Sequence, residues 1–204
     1  PASAVLGPPY PSVSSLLNPA SAPNAHPLSR IFTDIIARFP SLRPLPERVA
    51  VLWIMFHLLR WELSPTPENL ARVPEWLRPR ATQTATAHPV WINYLPWPRL
   101  REALVGFWTR EPGVCRLENF FVPFTTTLSV NWPYEDVDAL IMVPPPGGEE
   151  EEEEGREVLI NPVFERHIGR LENWTVGDAF YDAFPALGGT YHWKSERAGG
   201  VVVR

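Results

Sequence analysis

One cysteine, Cys115, is the whole thiol content of this 204-residue chain. An internal disulfide is impossible, so the fold must rest on a hydrophobic core, and a stapled secreted module is not expected. With no secretory signal pattern in the sequence, a reducing intracellular setting is expected, and the sequon Asn173-Trp174-Thr175 carries little weight. Long apolar runs are missing as well. The longest, from Val49 to Phe56 and on through Leu58 and Leu59, is about half of the roughly 20 residues that a membrane span needs. It reads as a buried helix, and no membrane partner is expected.

Charge is sparse. Acids and bases make up 20% of the residues, for a net charge of −5. Six of the acids form one run, Glu149–Glu154, which repels itself and reads as an exposed, solvated loop. Acidic activation segments interleave bulky apolar residues, and this run does not. The remainder is close to neutral and has no basic stripe, which argues against direct nucleic-acid binding by this segment. Gly147-Gly148 and Gly188-Gly189 lack the strand-to-helix setting of a phosphate loop, and no Gly-x-Ser-x-Gly elbow is present. His26, His57, His88, His167 and His192 are scattered, with no metal-ligand spacing. Cys115 has no neighbouring His or Cys. Glu165, Arg166 and Glu172 read as a solvated helix face. No catalytic residue, cofactor or metal site is expected, and the chain is not expected to be an enzyme.

What the chain has in plenty is proline, 25 residues, and tryptophan, 9. Residues 88–108, HPVWINYLPWPRLREALVGFW, hold Trp91, Trp97 and Trp108 among three prolines. Proline fixes φ and lowers the entropy lost in placing a neighbouring ring, so Leu95-Pro96-Trp97-Pro98 reads as a rigid turn that locks tryptophans into a core.

Apolar spacing supplies the rest. Leu28, Ile31, Phe32, Ile35 and Phe39 share one helical face between Pro27 and Pro40. Pro46 opens a helix that is apolar all round from Val49 to Leu63, the mark of a central element. Thr66 caps a short helix begun by Pro67. Trp76-Leu77 make one further turn, and residues 80–87 form a loop. His88-Pro89 favours an extended start. Pro98 then begins a helix with Leu100, Leu104, Phe107 and Trp108 inward. Leu117, Phe120, Phe121, Phe124 and Leu128 predict a helix kinked near Pro123. Residues 139–143 and 157–160 are short apolar runs that can pair as a hairpin. Asn161 caps a helix burying Val163, Phe164, Ile168 and Leu171, and Thr175 caps a last one with Val176, Phe180 and Phe184 inward. The expected fold is therefore mainly α, a compact irregular helical bundle of about seven helical segments with one small β-hairpin. Residues 1–25 are a disordered or loosely docked lead-in rich in Pro and Ser, 26–187 a single helical domain with an acidic loop at 144–156, and 188–204 a flexible tail. The first residue is Pro1, and the chain is expected to be a piece of a longer protein.

Four blocks follow one another in order: residues 48–79 (RVAVLWIMFHLLRWELSPTPENLARVPEWLRP), 88–104 (HPVWINYLPWPRLREAL), 128–134 (LSVNWPY) and 158–180 (VLINPVFERHIGRLENWTVGDAF). Together they resemble the DUF3425 family, which occurs C-terminal to the DNA-binding region of many fungal bZIP transcription factors. The resemblance covers roughly residues 45–187. It implies a fungal regulator in the nucleus, although no basic helix with a leucine heptad is present here to read DNA or form a coiled coil.

Two functions are compatible with these observations. One is a regulatory domain with protein partners, which predicts an exposed apolar patch. The other is a small-molecule sensor, which predicts an aromatic-lined apolar pocket of a few hundred Å³. Trp53, His57, Trp91, Trp97 and Trp108 are the candidate residues for either surface.

Overall fold

The computed structural model of the chain describes residues 10–17, 27–110, 117–143, 157–195, 197 and 202–203. It is mainly helical, as the apolar spacing predicts. In chain order come α1 (Ser14–Leu17), α2 (Pro27–Ala37), α3 (Leu45–Leu63), α4 (Pro67–Arg72), α5 (Ala81–Ala85), α6 (Pro98–Arg110), α7 (Leu117–Thr127), α8 (Pro162–Ile168) and α9 (Asp178–Ala183). Short 3-10 turns, among them Glu75–Leu77, Val90–Tyr94 and Asp136–Ala139, link them. β1 (Leu140–Val143) and β2 (Glu157–Ile160) form the expected antiparallel hairpin, with Leu140 opposite Ile160 and Val143 opposite Glu157. The acidic run Glu149–Glu154 and Cys115 lie outside the described residues.

α3 is the axis of the core. Val49, Ala50, Leu52, Trp53, Ile54, Met55, Phe56, His57 and Leu58 are all buried, so protein surrounds the helix on every side. Pro46 occupies its first turn, where a missing N–H costs no intrahelical bond. The buried Glu47 carboxylate accepts from Ser129 Oγ and from the Val130 amide at 3.1 Å, tying α3 to the segment after α7. Thr66 and Asn161 cap α4 and α8 as expected, accepting from the amides of Asn69 and Val163. The β-branched Thr125, Thr126 and Thr127 are helical, and each hydroxyl donates to the carbonyl four residues back, at 2.7 Å.

Indole N–H groups pin loops to this frame. Trp76 donates to Gly169 O at 2.8 Å, Trp174 to Ile168 O at 2.7 Å and Trp132 to Glu135 O at 3.1 Å. Trp53 donates to the Glu165 carboxylate at 3.0 Å, so Glu165 is not simply part of a solvated face.

Several boundaries differ from the sequence reading. Residues 81–85 are helical rather than loop, because Gln83 is fixed from outside: it accepts from the Arg80 amide and from Arg101, and donates to Asn93. Pro89 has the extended backbone expected at the start of this stretch, but a 3-10 turn follows at once over Val90–Tyr94. Thr175 does not cap α9, which starts after Gly177. Its backbone pairs with Ser129, and its hydroxyl accepts from Asn131. Val163 faces outward, since the Asn161 cap sets the helix phase that buries Phe164 and Ile168. Nor does packing stop at residue 187. Tyr191 is buried, Trp193 stacks on Tyr181 at 4.2 Å, and Lys194–Ser195 pair with Val202–Val203. Within the lead-in, Val13 and Leu16 are buried, and Leu16 O accepts from Arg48.

Candidate ligand cavity

The Leu95-Pro96-Trp97-Pro98 turn is held by a residue the sequence did not single out for the core. Arg101 lies one step along α6 from the buried Leu100, is 0% exposed, and uses all five guanidinium N–H groups. Its Nε donates to Gln83 Oε1 (3.1 Å), its Nη1 to the carbonyls of Leu95 (2.7 Å) and Pro96 (3.0 Å), and its Nη2 to those of Trp76 (2.8 Å) and Arg78 (3.1 Å). Burial, with Arg80 nearby, lowers its pKa to about 10, so it remains charged at neutral pH. Phe107 and Trp108, expected on the inner face of α6, are only half-buried. Arg101 faces inward because the loops before it present carbonyls with no other donor among the described residues.

That turn forms one wall of a cavity of about 200 Å³. Ile35, Phe39 and Leu42 come from α2 and the residues after it; Val51, Ile54 and Met55 come from α3. The Val90–Tyr94 turn and the residues after it give Val90, Trp91, Tyr94, Leu95 and Pro96. α7 and its end supply Phe121, Phe124, Thr125 and Leu128, and Trp174 completes the lining. Phe39 and Phe121 sit 4.9 Å apart between ring centres, and Trp91 lies 5.2 Å from Phe121. Val90, 68% exposed, marks the mouth, whereas Ile54, Leu95, Phe124, Leu128 and Trp174 are buried.

Almost nothing polar faces this space. The Thr125 hydroxyl is engaged with Phe121 O and Ser41, and the Trp174 N–H with Ile168 O. Trp91 and Tyr94 make no side-chain hydrogen bond to described residues. Burial, and the Glu62 charge after it, push the Tyr94 phenol up to about 12, so it is a neutral hydrogen-bonding group. A larger, more open hollow of about 420 Å³ beside Leu104, Phe107, Asn119 and residues 183–187 presents only two rings.

The five candidate residues do not form one site. Trp91 alone of them lines the cavity. Trp53 and His57 are neighbours on α3, 5.0 Å apart between ring centres. Burial, then the Arg72 and Arg60 charges, lower the His57 pKa to about 4, and neither ring nitrogen has a hydrogen-bond partner among the described residues. Trp97 is 2% exposed and packs edge-on against Phe124, Tyr191 and His192, while its N–H is likewise unpartnered among the described residues. Trp108 is half-buried on α6, outside the lining. Phe39, Phe121 and Phe124 were legible as inward-facing, but spacing does not distinguish a wall beside a gap from a closed packing contact.

Among the described residues no group of three His, Cys, Asp or Glu side chains is placed to hold a metal, and no helix is long and apolar enough to cross a membrane. No curated protein and no solved structure matches the chain. A family model described as a domain of unknown function, DUF3425, matches residues 56–196, well over half of the sequence, and the chain belongs to that family.

Proposed function

We propose that this domain is a small-molecule sensor that controls transcription as part of a fungal bZIP-like factor in the nucleus, and is itself neither an enzyme nor a reader of DNA. The observation that carries the sensing role is the apolar cavity: about 200 Å³, walled by rings from elements distant in sequence, with a half-buried tryptophan and an exposed valine at its edge. The hollow opens to solvent beside Val90, so it leaves apolar rings in contact with water, and a guest that covers them removes that surface from water. The transcriptional setting draws on the family resemblance alone.

Native mass spectrometry of the full chain from a fungal host, beside a denatured control, tests this reading. A reproducible added mass that is lost on denaturation is expected. A bare mass that stays bare after incubation with a fungal lipid and small-molecule extract would overturn it.

A regulatory role through protein partners is the second reading. It is favoured by Tyr134, Val137, Met142 and Val163, exposed large apolar residues around the base of the hairpin and the start of α8. Capture of a fungal protein by the wild-type chain but not by Val137→Glu and Met142→Glu variants would support it. Equal capture by all of them would remove it.

A further inference from the structure

The chemistry of the cavity narrows what it can admit, and the narrowing rests on the sensing reading above. Size comes first. An apolar cavity of about 150 Å³ accommodates benzene, whereas pockets for drug-sized molecules start at about 300 Å³. At about 200 Å³ this cavity fits a little more than one ring. A long acyl chain would leave most of its length outside.

Shape points the same way. The Phe39 and Phe121 rings are tilted by 40°, and Trp91 meets Phe121 at 66°. The wall thus offers both ring faces and ring edges. An aromatic guest can meet such a wall in the offset and edge-to-face arrangements that its quadrupole favours.

Charge excludes most alternatives. None of the lining residues is an acid or a base. An ammonium or carboxylate entering here would lose its hydration with no ion to replace it. The Glu62 charge, which acts on Tyr94, would repel an anion further. Hydrogen-bonding capacity is close to nil: Thr125 and Trp174 are committed, and the surface that the cavity presents is otherwise apolar.

We infer that the cavity takes a neutral, compact aromatic molecule of about eight to twelve non-hydrogen atoms, carrying at most one hydrogen-bonding group. Any such group lies at the mouth beside Val90, and the rings of Phe39 and Phe121 clamp the body.

Isothermal titration of the full chain with three probes tests this. 2-Naphthol is the neutral bicyclic, 2-naphthoate the same ring system with a carboxylate, and dodecanoate the flexible chain. One 2-naphthol per chain is expected, with each of the other two weaker by at least about tenfold. Ile35→Trp, which fills the cavity from α2, should abolish binding while preserving the cooperative unfolding transition; Val51→Phe does the same from α3 should the first variant not fold. Naphthoate or dodecanoate binding as tightly as 2-naphthol, and lost on filling, would overturn the ligand class and leave the sensing reading in place. Binding of 2-naphthol that survives both fillings would place it elsewhere and overturn the assignment. No saturable binding of any probe below about 1 mM would also overturn the class. The sensing reading then stands or falls on the mass carried by the chain from its host.

Discussion

Replacing Arg101 with methionine tests the reasoning about the proline-tryptophan turn. Methionine keeps much of the unbranched stem but donates nothing, so four backbone carbonyls lose their partner together, while the Gln83 amide oxygen keeps the Arg80 N–H. The site is closed to solvent, and water cannot replace the guanidinium without a rearrangement. At about 1 kcal/mol for each of the four orphaned acceptors, the low end for buried groups, the loss approaches about 4 kcal/mol. Relief from burying a cation that has only the Glu102 charge near it offsets part of this, leaving roughly 2–3 kcal/mol. That is a large fraction of the stability of a domain this size, about 5–15 kcal/mol. Arg101→Lys retains the charge but brings three donors where five are used, and a loss of about 1–2 kcal/mol is expected. Urea unfolding followed by far-ultraviolet circular dichroism measures both, provided the denaturant slope is unchanged. A methionine variant within about 1 kcal/mol of wild type would show that the carbonyls find other partners, and the account of the turn would be wrong.

Three further outcomes are expected. His57 has a folded pKa of about 4, below the 6.5 of an exposed imidazole, so the unfolded chain binds the extra proton as pH falls through 6.5 toward 4. Wild type should lose up to about 3 kcal/mol over that window relative to a His57→Leu variant, and a difference independent of pH would refute the neutral buried ring. Trp97→Phe should cost only about 1–2 kcal/mol, for the ring volume it removes, since the lost N–H has no partner among the described residues, whereas Trp97→Ala should cost about 3–5 kcal/mol; chemical denaturation measures both, and a Trp97→Phe loss as large as that of Trp97→Ala would show that the N–H is engaged. Asn161→Ala removes the cap of α8 and should cost about 1 kcal/mol, with Asn161→Asp restoring most of it; an unchanged unfolding midpoint for the alanine variant would show the cap to be idle.

Much of the architecture was legible because single residues announced it. Pro46, Pro67, Pro98 and Pro162 stand in the first turns of their helices, and a helix apolar on all sides could only be α3. The hairpin followed from two short apolar runs. What could not be read was anything decided by distant partners. A charged Arg101 looks like a surface residue until the loops of residues 76–96 come round to meet it. α5 has no apolar period and depends on contacts made by Gln83. Likewise, the cavity combines Phe39, Met55, Trp91 and Phe121, separated by tens of residues, and a gap leaves no trace in spacing. Trp91 was found because the tryptophan-proline stretch stood out in composition. Of the other four candidates, Trp53, His57 and Trp97 are buried and Trp108 is half-buried, and none of them lines the cavity.

The hairpin has a consequence for how this domain tolerates change. Its register fixes Val143 against Glu157, so the ends of the chain between them are held at a set separation whatever the connection contains. Closing a loop twice as long costs only about 0.6 kcal/mol more. Residues 144–156 are thus where this sequence can lengthen, shorten or accept a foreign segment at the least expense to the bundle, and a reporter peptide grafted between the two strands would leave the cavity wall untouched.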